Sequence, residues 1–318
     1  MAQQFIKKII RNGKFLKRMN KLKSPLAIKS DKIKFVAVFQ TNQIIKDYKN
    51  IGIDVLRFFK ETEVKLYKCN QTGYRFFYPF STIGDATFYE DLSRNRKNYY
   101  SRRWEHTKAM NYINVSDSVL EIGSGFGSFL NLLKKNQIVS KGLELNSHAV
   151  DKCKIEGLDV DEKLIQEEAK INKEQYDVVC YFQVLEHIVE VNSFIDSSIR
   201  ALKKGGKLII GVPNNNPYLF INDKYHTLNM PPHHAGLWNK QSLKSLENLF
   251  PIKLERIIFE PLEVNYKYFI NSYINKTSNQ VIKKILTIIN KIAPKILKKI
   301  MCTFVKGRNV VAIYKKLA

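Results

Sequence analysis

The chain has 318 residues, of which 44% are hydrophobic and 26% charged, proportions that are ordinary for a soluble globular protein. Its four cysteines are widely spaced without a C-x-x-C pair, so we expect a reducing, cytoplasmic setting with no metal site and no disulfide framework. The sequence has no apolar leader core and no run of about 18 apolar residues, so we expect no membrane span. The net charge of +24 is concentrated at the ends, because residues 1–30 and 264–318 contain nine and twelve Lys or Arg and no acid, which leaves the middle close to neutral.

Residues 1–30 form a basic segment with apolar side chains at helical spacing. Phe5, Ile6, Ile9 and Ile10 interleave with lysines and arginines, a pattern typical of an amphipathic helix that lies on an anionic membrane surface. A packed helix with a solvated lysine face has the same pattern, and a basic face can also contact nucleic acid. All three interpretations stay open from the sequence.

Residues 31–104 predict an accessory region that contains a hairpin. Two strand-like runs, 63–69 and 74–79, flank the turn signal Asn70-Gln71-Thr72-Gly73. An aromatic and basic run over residues 99–106 follows and leads into the next region.

A glycine-rich turn dominates the middle of the chain. The apolar run from Val119 ends in Glu121 and Ile122, and glycines follow at alternate positions before a helical pattern begins: Gly123, Gly125 and Gly127. This pattern predicts a buried strand, a tight turn and a helix start, where backbone N–H groups approach a nucleotide-like ligand. The dinucleotide fingerprint would need glycine where Ser128 stands. A carboxylate at Glu121 would repel a pyrophosphate and suits a cationic amino-acid group.

Further strand-like segments follow in order. The run 142–146 contains Glu144, placed where a second strand would offer a carboxylate to a ribose diol. Residues 176–182 are a mostly apolar run of strand length, followed by Gln183 to His187. The segment Leu202-Lys203-Lys204-Gly205-Gly206-Lys207 predicts a turn into a strand over 208–212, which Pro213 ends.

These motifs, E-x-G-x-G-x-G, V-L-E-H, L-K-x-G-G and V-P-N, resemble those of the class I S-adenosylmethionine (SAM) methyltransferases over about residues 105–260. The accessory region is similar to that of bacterial methyltransferases of surface-polysaccharide and glycan pathways. The resemblance implies an α/β fold: a Rossmann-like seven-stranded sheet with helices on both faces, preceded by the hairpin region. It also implies that SAM is the cofactor, bound by these residues: Glu121, Gly123, Ser124, Gly125, Gly127, Glu144, Leu145, Gln183, Val184 and, from the preceding segment, Tyr100 and Trp104. Core packing is the alternative for the two aromatic residues.

Methylation of an oxygen acceptor benefits from a general base, most often a histidine. His187 follows the strand over 176–182, and the loop Asn229–Trp238 contains His233 and His234 behind two stiffening prolines. His226 lies upstream in the same loop. We expect His234, then His233, to be the base, with His187 as a further candidate. The alternatives are that the loop histidines cap a helix that begins near Asn239 and that His187 supports the cofactor loop.

The C-terminal part predicts a helix over 239–250 and strands over 253–260 and 309–314, separated by a basic insertion at 261–307. An apolar stripe from Val281 to Phe304 is flanked by lysines, and Pro294 should kink or divide it. The chain is accordingly divided into these regions: basic segment 1–30, accessory region 31–104, SAM-binding core 105–260, helical insertion 261–307 and last core strand 308–318. Both ends are expected to be basic amphipathic helices.

The expected function is O-methylation of a saccharide or lipid-linked glycan intermediate, in the cytoplasm or on the inner face of its membrane. A quinone-like or other small lipophilic acceptor is the alternative. Nucleic acid is not the expected acceptor, because Gln183-Val184-Leu185-Glu186 stands where a D/N-P-P-Y motif or a Pro-Cys nucleophile would be needed. A non-catalytic binding protein is disfavoured, since both Glu121 and Glu144 are kept.

Overall fold

The computed structural model describes residues 22–95, 103–215 and 225–317, and its strands form two sheets. Tyr100 and residues 1–21 of the basic N-terminal segment lie outside the described residues. Residues 22–30 contain no helix, and Leu26 among them is buried in the core. The helix expected over 1–30 therefore does not extend through residues 22–30.

The accessory region forms an antiparallel sheet. Its elements are β1 (Ile33–Gln40), α1 (Thr41–Lys49), β2 (Glu63–Cys69), β3 (Arg75–Tyr78) and α2 (Ala86–Asn95). β2 pairs with β3 in the register Leu66 to Phe77, which confirms the predicted hairpin. Alternate apolar side chains of β2 and β3 pack with α1 and α2 in a core that includes Phe39, Tyr48 and Phe88.

The second sheet begins with a series of parallel strands and crossover helices. Its elements are α3 (Trp104–Ala109), β4 (Val119–Ile122), α4 (Ser128–Lys135), β5 (Ser140–Leu143), α5 (Ser147–Ile155), β6 (Val160–Asp161), α6 (Ile165–Ile171), β7 (Tyr176–Phe182), α7 (Val191–Ala201) and β8 (Leu202–Pro213). Alternate residues of β7 face opposite sides: Val179 and Tyr181 pack with α6 and α7, whereas Cys180 packs with α4 and α5. The strands are thus covered on both faces, which explains their nearly continuous apolar sequences.

The remaining elements add one strand to the accessory sheet, two strands to the second sheet and four helices. They are β9 (Gly236–Leu237), α8 (Lys240–Lys244), β10 (Ile252–Pro261), α9 (Tyr266–Lys276), α10 (Gln280–Ile292), α11 (Pro294–Phe304) and β11 (Lys306–Lys316). Within the described ranges the sheet has seven strands in the order β10-β11-β8-β7-β4-β5-β6, and β11 runs antiparallel to both neighbours. The expected α/β fold with a seven-stranded sheet is confirmed. The strand order reverses at β4. Open α/β sheets bind ligands at such a reversal, outside the carboxyl ends of the strands.

Three predicted boundaries need correction. The helix expected over 239–250 ends at Lys244 and continues as a 3₁₀ turn. β8 already begins at Leu202, but its pairing with β7 jumps so that residues 203–206 bulge out as the predicted turn. The last strand begins at Lys306 rather than at residue 308 or 309, because Lys306 pairs with Pro261 of β10.

Two helices of the insertion, α10 and α11, have exposed apolar faces, whereas α9 buries Phe269 and Ile270. Pro294 is the first residue of α11, so the predicted division of the segment is confirmed. α10 buries none of its side chains, and α11 buries only Leu297. Across the described parts of the chain, no helix combines the length and apolarity that crossing a membrane requires.

Candidate active site

The glycine turn joins β4 to α4 at the point where the strand order reverses. Gly123 has φ +74°, and a Cβ there would lie 2.5 Å from Cγ2 of Val184. Gly127 has φ +72°, and a Cβ added at this position would collide with the Leu158 side chain. Only glycine fits these two positions, because the backbone is left-handed and a neighbouring side chain fills the space of a Cβ. The turn thereby keeps its backbone close to whatever binds above β4.

Two carboxylates flank the turn in different environments. Glu121 on β4 is buried, and its Oε2 has no hydrogen-bond partner among the described residues. Burial and the nearby Glu144 raise the pKa of Glu121 well above its usual range. Glu144 accepts hydrogen bonds from the backbone N–H groups of Gly125 (2.8 Å), Leu145 (2.8 Å) and Asn146 (2.9 Å).

This arrangement fits the expected cofactor. An unpartnered buried carboxylate oxygen favours a cationic ligand, which SAM is, since a positive charge would offset both burial and the charge of Glu144. The Ser124 hydroxyl is also buried without a hydrogen-bond partner among the described residues, and Leu145 exposes an apolar side chain next to Glu144. Glu121 and Ser124 would hold the polar part of the cofactor, and Glu144 and Leu145 its nucleoside.

Gln183 directly follows β7 and has a strained backbone conformation. Its φ is +58°, which is uncommon for a residue other than glycine and is frequent at functional sites. Its side-chain Nε2 donates to Oε1 of Glu105 over 2.7 Å. Val184, the next residue, contacts the glycine turn through Cγ2. The predicted pair Gln183 and Val184 therefore lies directly beside the turn.

Glu105 on α3 is a site residue that the sequence analysis missed. It is buried, its Oε2 has no hydrogen-bond partner in the described ranges, and burial raises its pKa. The only signal in the sequence is an acid within the aromatic and basic run over residues 99–106. Trp104 precedes it and packs partly buried against the core that includes α4. A cofactor role for Trp104 stays a prediction.

The three candidate histidines form one cluster. His187 lies in the 3₁₀ turn after β7, and His233 and His234 come from the loop after β8. One ring nitrogen of each lies within 4.8 Å of those of the other two. The ring centroid of His233 lies 4.5 Å from that of His187 and 4.6 Å from that of His234. The loop reaches this position because β9, just after it, pairs with β3 of the accessory sheet.

The Nδ1 atom of each imidazole faces an oxygen that only accepts hydrogen bonds. The distances are 2.6 Å from His187 to the His233 carbonyl, 2.8 Å from His233 to the Leu228 carbonyl and 3.1 Å from His234 to Oδ1 of Asn229. Each Nδ1 is therefore placed to donate a hydrogen bond, and in that tautomer the lone pair of the neutral ring is on Nε2; His187 additionally interacts with the Gln183 carbonyl. Burial lowers the pKa of His187 to about 4 and that of His234 well below its usual value. Helix capping is excluded as their role, since Asn239 itself caps α8 through the Ser242 N–H.

Glu186 completes this group and was also missed as a site residue. Its side chain is fully buried, and neither carboxylate oxygen has a hydrogen-bond partner among the described residues. Its Oε1 lies 3.9 Å from Nε2 of His187, and burial raises its pKa to about 8. The backbone carbonyl of Glu186 accepts from the Ala235 N–H over 2.8 Å, which ties the two loops together.

A cavity of about 570 Å³ borders the histidine loop. His226, Thr227 and Leu228 line it on one side, and polar side chains from the accessory region and α9 line the other. These polar lining residues are Gln43, Asp47, Asn95, Tyr268 and Lys276. Since Leu228 also accepts the hydrogen bond of His233, a molecule in this cavity would lie behind the histidine cluster.

Comparison with known proteins links this geometry to one class of enzyme. A family profile described as a methyltransferase domain matches residues 93–251, half of the chain. The ubiquinone biosynthesis O-methyltransferase of Vibrio vulnificus is 30% identical over 110 residues, which are 32% of this chain and 47% of that protein. Its counterpart from Pseudomonas fluorescens is 25% identical over 170 residues, 47% of this chain and 71% of that protein. The chain thus spans about half the length of the first of these relatives.

Among solved structures, a SAM-dependent methyltransferase from Archaeoglobus fulgidus aligns with 66% of this chain and 90% of its own. The sequence identity is 21% and the TM-score 0.46.

Proposed function

The chain belongs to the methyltransferase-domain family and uses SAM as its cofactor, and from that premise we propose that it methylates a hydroxyl oxygen of a saccharide or lipid-linked glycan intermediate. The observation that carries this proposal is the cluster of His187, His233 and His234 beyond the end of β7. A hydroxyl acceptor must lose a proton during transfer, and neutral imidazoles with a lone pair on Nε2 can accept one.

The cofactor side needs little more than positioning. SAM supplies an activated methyl group on a sulfonium centre, and the protein has to align the acceptor with it. Glu121, Ser124 and Glu144 would hold the donor at the glycine turn. Gln183, fixed by its hydrogen bond to Glu105, would separate the donor from the acceptor side.

The acceptor side would manage the proton. His234 is the first candidate to take it and His233 the second, because both belong to the loop that borders the cavity. His187 would support them, since its Nδ1 holds the His233 carbonyl. Glu186 would offset positive charge on the cluster, as its Oε1 lies 3.9 Å from Nε2 of His187.

One feature favours a saccharide acceptor. The cavity beside the histidine loop is lined with amide, carboxylate, phenol and ammonium groups, which suit the many hydroxyls of a sugar. The second candidate, a quinone-like phenol, is favoured by the relatives, whose printed names specify ubiquinone biosynthesis O-methylation. Both candidates share an oxygen nucleophile.

A lipid-linked acceptor would be met at a membrane. α10 and α11 expose the apolar side chains Val281, Ile285, Ile292, Ile296 and Phe304. No acid occurs after residue 263, so the lysines around this apolar face are unopposed in this part of the sequence. Each lysine near an anionic leaflet contributes about 1 kcal/mol, so a few of them would hold the enzyme peripherally on the inner membrane face.

An acceptor screen with SAM labelled in the transferred methyl group tests the proposal. The full chain would be incubated separately with glycan intermediates, quinols and RNA, and label would be counted in each product. We expect label in the glycan fraction. Label in the quinol fraction alone would replace the saccharide proposal with its alternative, and label in RNA alone would contradict both.

A further inference from the structure

We propose that His187, His233 and His234 form a binding site for one divalent transition-metal ion, with zinc as the best match. This site rests on the same cluster as the proposed function but is independent of the acceptor's identity. The sequence predicts no metal here, because a histidine pair and a third histidine 46 residues earlier match no known ligand spacing.

The ring nitrogens of the cluster lie close enough together to become ligands of one ion. One ring nitrogen of each histidine lies within 4.8 Å of the others, and zinc–nitrogen bonds of 2.0–2.1 Å place ligand nitrogens about 3.4 Å apart. The imidazoles would therefore close by roughly 1 Å around an ion. The backbone contact between Ala235 and Glu186 fixes the two loops relative to each other, so the ligands are held in place in advance.

The outer contacts of the imidazoles match those of metal-binding histidines. A metal ligand of this type usually donates its second ring N–H to a carbonyl or carboxylate, which fixes the tautomer and turns the lone pair toward the ion. Here the Nδ1 atoms of His187, His233 and His234 all face such oxygens. Asn229 provides the oxygen for His234.

Glu186 is the independent observation that points to a cation. It is a fully buried carboxylate, and neither oxygen has a hydrogen-bond partner in the described parts of the chain. A buried carboxylate without hydrogen bonds is costly unless a positive charge compensates it. Arg103 compensates part of that cost, and an ion held by the histidines would supply further positive charge, since Oε1 of Glu186 lies 3.9 Å from Nε2 of His187.

The chemistry of the ligands selects the ion. Magnesium and calcium prefer oxygen ligands, whereas three imidazoles suit zinc, cobalt, nickel or copper. Three histidines leave a fourth position for water or for the acceptor hydroxyl. An ion there would lower the pKa of a bound hydroxyl and would take over from a free imidazole as the group that activates it.

Cobalt(II) titration tests the site without any acceptor. The full chain, first treated with a chelator, would be titrated with CoCl₂ while visible absorption is recorded, and the metal content of the protein as purified would be measured. We expect one equivalent to bind with the intense bands of a tetrahedral site. Absence of binding by the wild-type chain would overturn the proposal and leave the methyl-transfer proposal untouched, because SAM binding is measured separately by calorimetry.

Single variants locate the ligands. H233Q and H234Q should weaken cobalt binding at least 100-fold, and N229A, which removes the oxygen facing His234, about 10- to 100-fold. H148Q, at an exposed histidine of α5 outside the cluster, is the control and should retain one equivalent. SAM binding would show that each variant is folded. Cobalt affinity unchanged in H233Q and H234Q would overturn the site even if the wild type binds metal.

Discussion

Glu121 is the residue that distinguishes this glycine turn from a phosphate-binding one. A carboxylate at the end of β4, buried and with an oxygen that has no hydrogen-bond partner among the described residues, repels an anion and attracts a cation. Its partner across the turn, Glu144, already accepts three backbone hydrogen bonds. Glu121 is therefore the residue that mainly selects a positively charged ligand.

We expect E121Q to bind SAM at least tenfold more weakly than the wild type. The substitution removes the charge but keeps the shape, and a hydrogen bond to a charged group contributes about 1.5–3 kcal/mol. Isothermal titration calorimetry measures the loss, and the melting temperature should not fall, because the variant no longer buries a carboxyl group whose pKa is raised. E162Q on the exposed surface is the control. Equal affinities in E121Q and the wild type would show that Glu121 does not contact the donor.

A substitution in the histidine loop should lower turnover without weakening SAM binding. H234A should lower turnover at least about 100-fold, whether the imidazole accepts the proton or holds an ion that activates the hydroxyl. Affinity for SAM should stay within about twofold, because the glycine turn and its acids are unchanged. Steady-state kinetics with calorimetry on the same preparation separates the two effects. Full turnover by H234A would contradict a role of this loop in the chemistry.

At the scale of elements, a polar contact holds the start of β4 to β7. The Asp177 carboxylate accepts from the Ser118 hydroxyl at 2.7 Å and from Lys203 at 2.8 Å. Burial raises the pKa of Asp177, but these hydrogen bonds outweigh it and lower the pKa to about 2. A depressed pKa stabilises the fold above the unfolded pKa of about 4 and ceases to do so as pH falls toward 2.

D177N should therefore melt about 1–2 °C below the wild type at pH 7, since a partly exposed pair of this kind contributes about 1 kcal/mol. The difference should shrink steadily between pH 5 and pH 3. Differential scanning calorimetry at several pH values measures it. A difference that stays constant over this range would mean that the ionised carboxylate does not stabilise the strand pair.

The exposed faces of α10 and α11 lead to a prediction about membranes. Replacing Ile285, Ile289 and Ile292 together by serine should weaken binding to anionic vesicles at least tenfold, because these side chains would be buried in the interface. The melting temperature should change little, since all three are exposed in the fold. I155S, at an exposed isoleucine of α5, is the control. Wild-type protein that binds RNA but not anionic vesicles would assign the basic face to nucleic acid instead.

At the scale of the whole molecule, the sequence predicted what depends on local patterns. The run Tyr176–Phe182 is apolar apart from Asp177 because both faces of β7 are covered, and the hairpin after Cys69 has a turn signal between two alternating runs. The glycine turn was recognisable because its backbone conformation admits only glycine at Gly123 and Gly127. These parts of the fold, including the glycine turn at which the cofactor is expected, could be predicted residue by residue.

Features created by distant pairing could not be predicted. The histidine cluster forms because β9 pairs with β3, which draws the loop of His233 toward the turn after β7. Glu105 becomes a site residue only when α3 lies against the end of β7, where Gln183 binds it. Neither contact leaves a signal in the local sequence, and the buried state of Glu186 likewise depends on packing.

Calorimetric titration of the full chain with SAM is the decisive measurement, since the proposed methyl transfer depends on a cationic methyl donor at the turn between Glu121 and Glu144. We predict binding of one molecule per chain. We also predict weaker binding of S-adenosylhomocysteine, which lacks the sulfonium charge that the carboxylates favour. Absence of SAM binding at millimolar concentration by the folded chain would contradict the account.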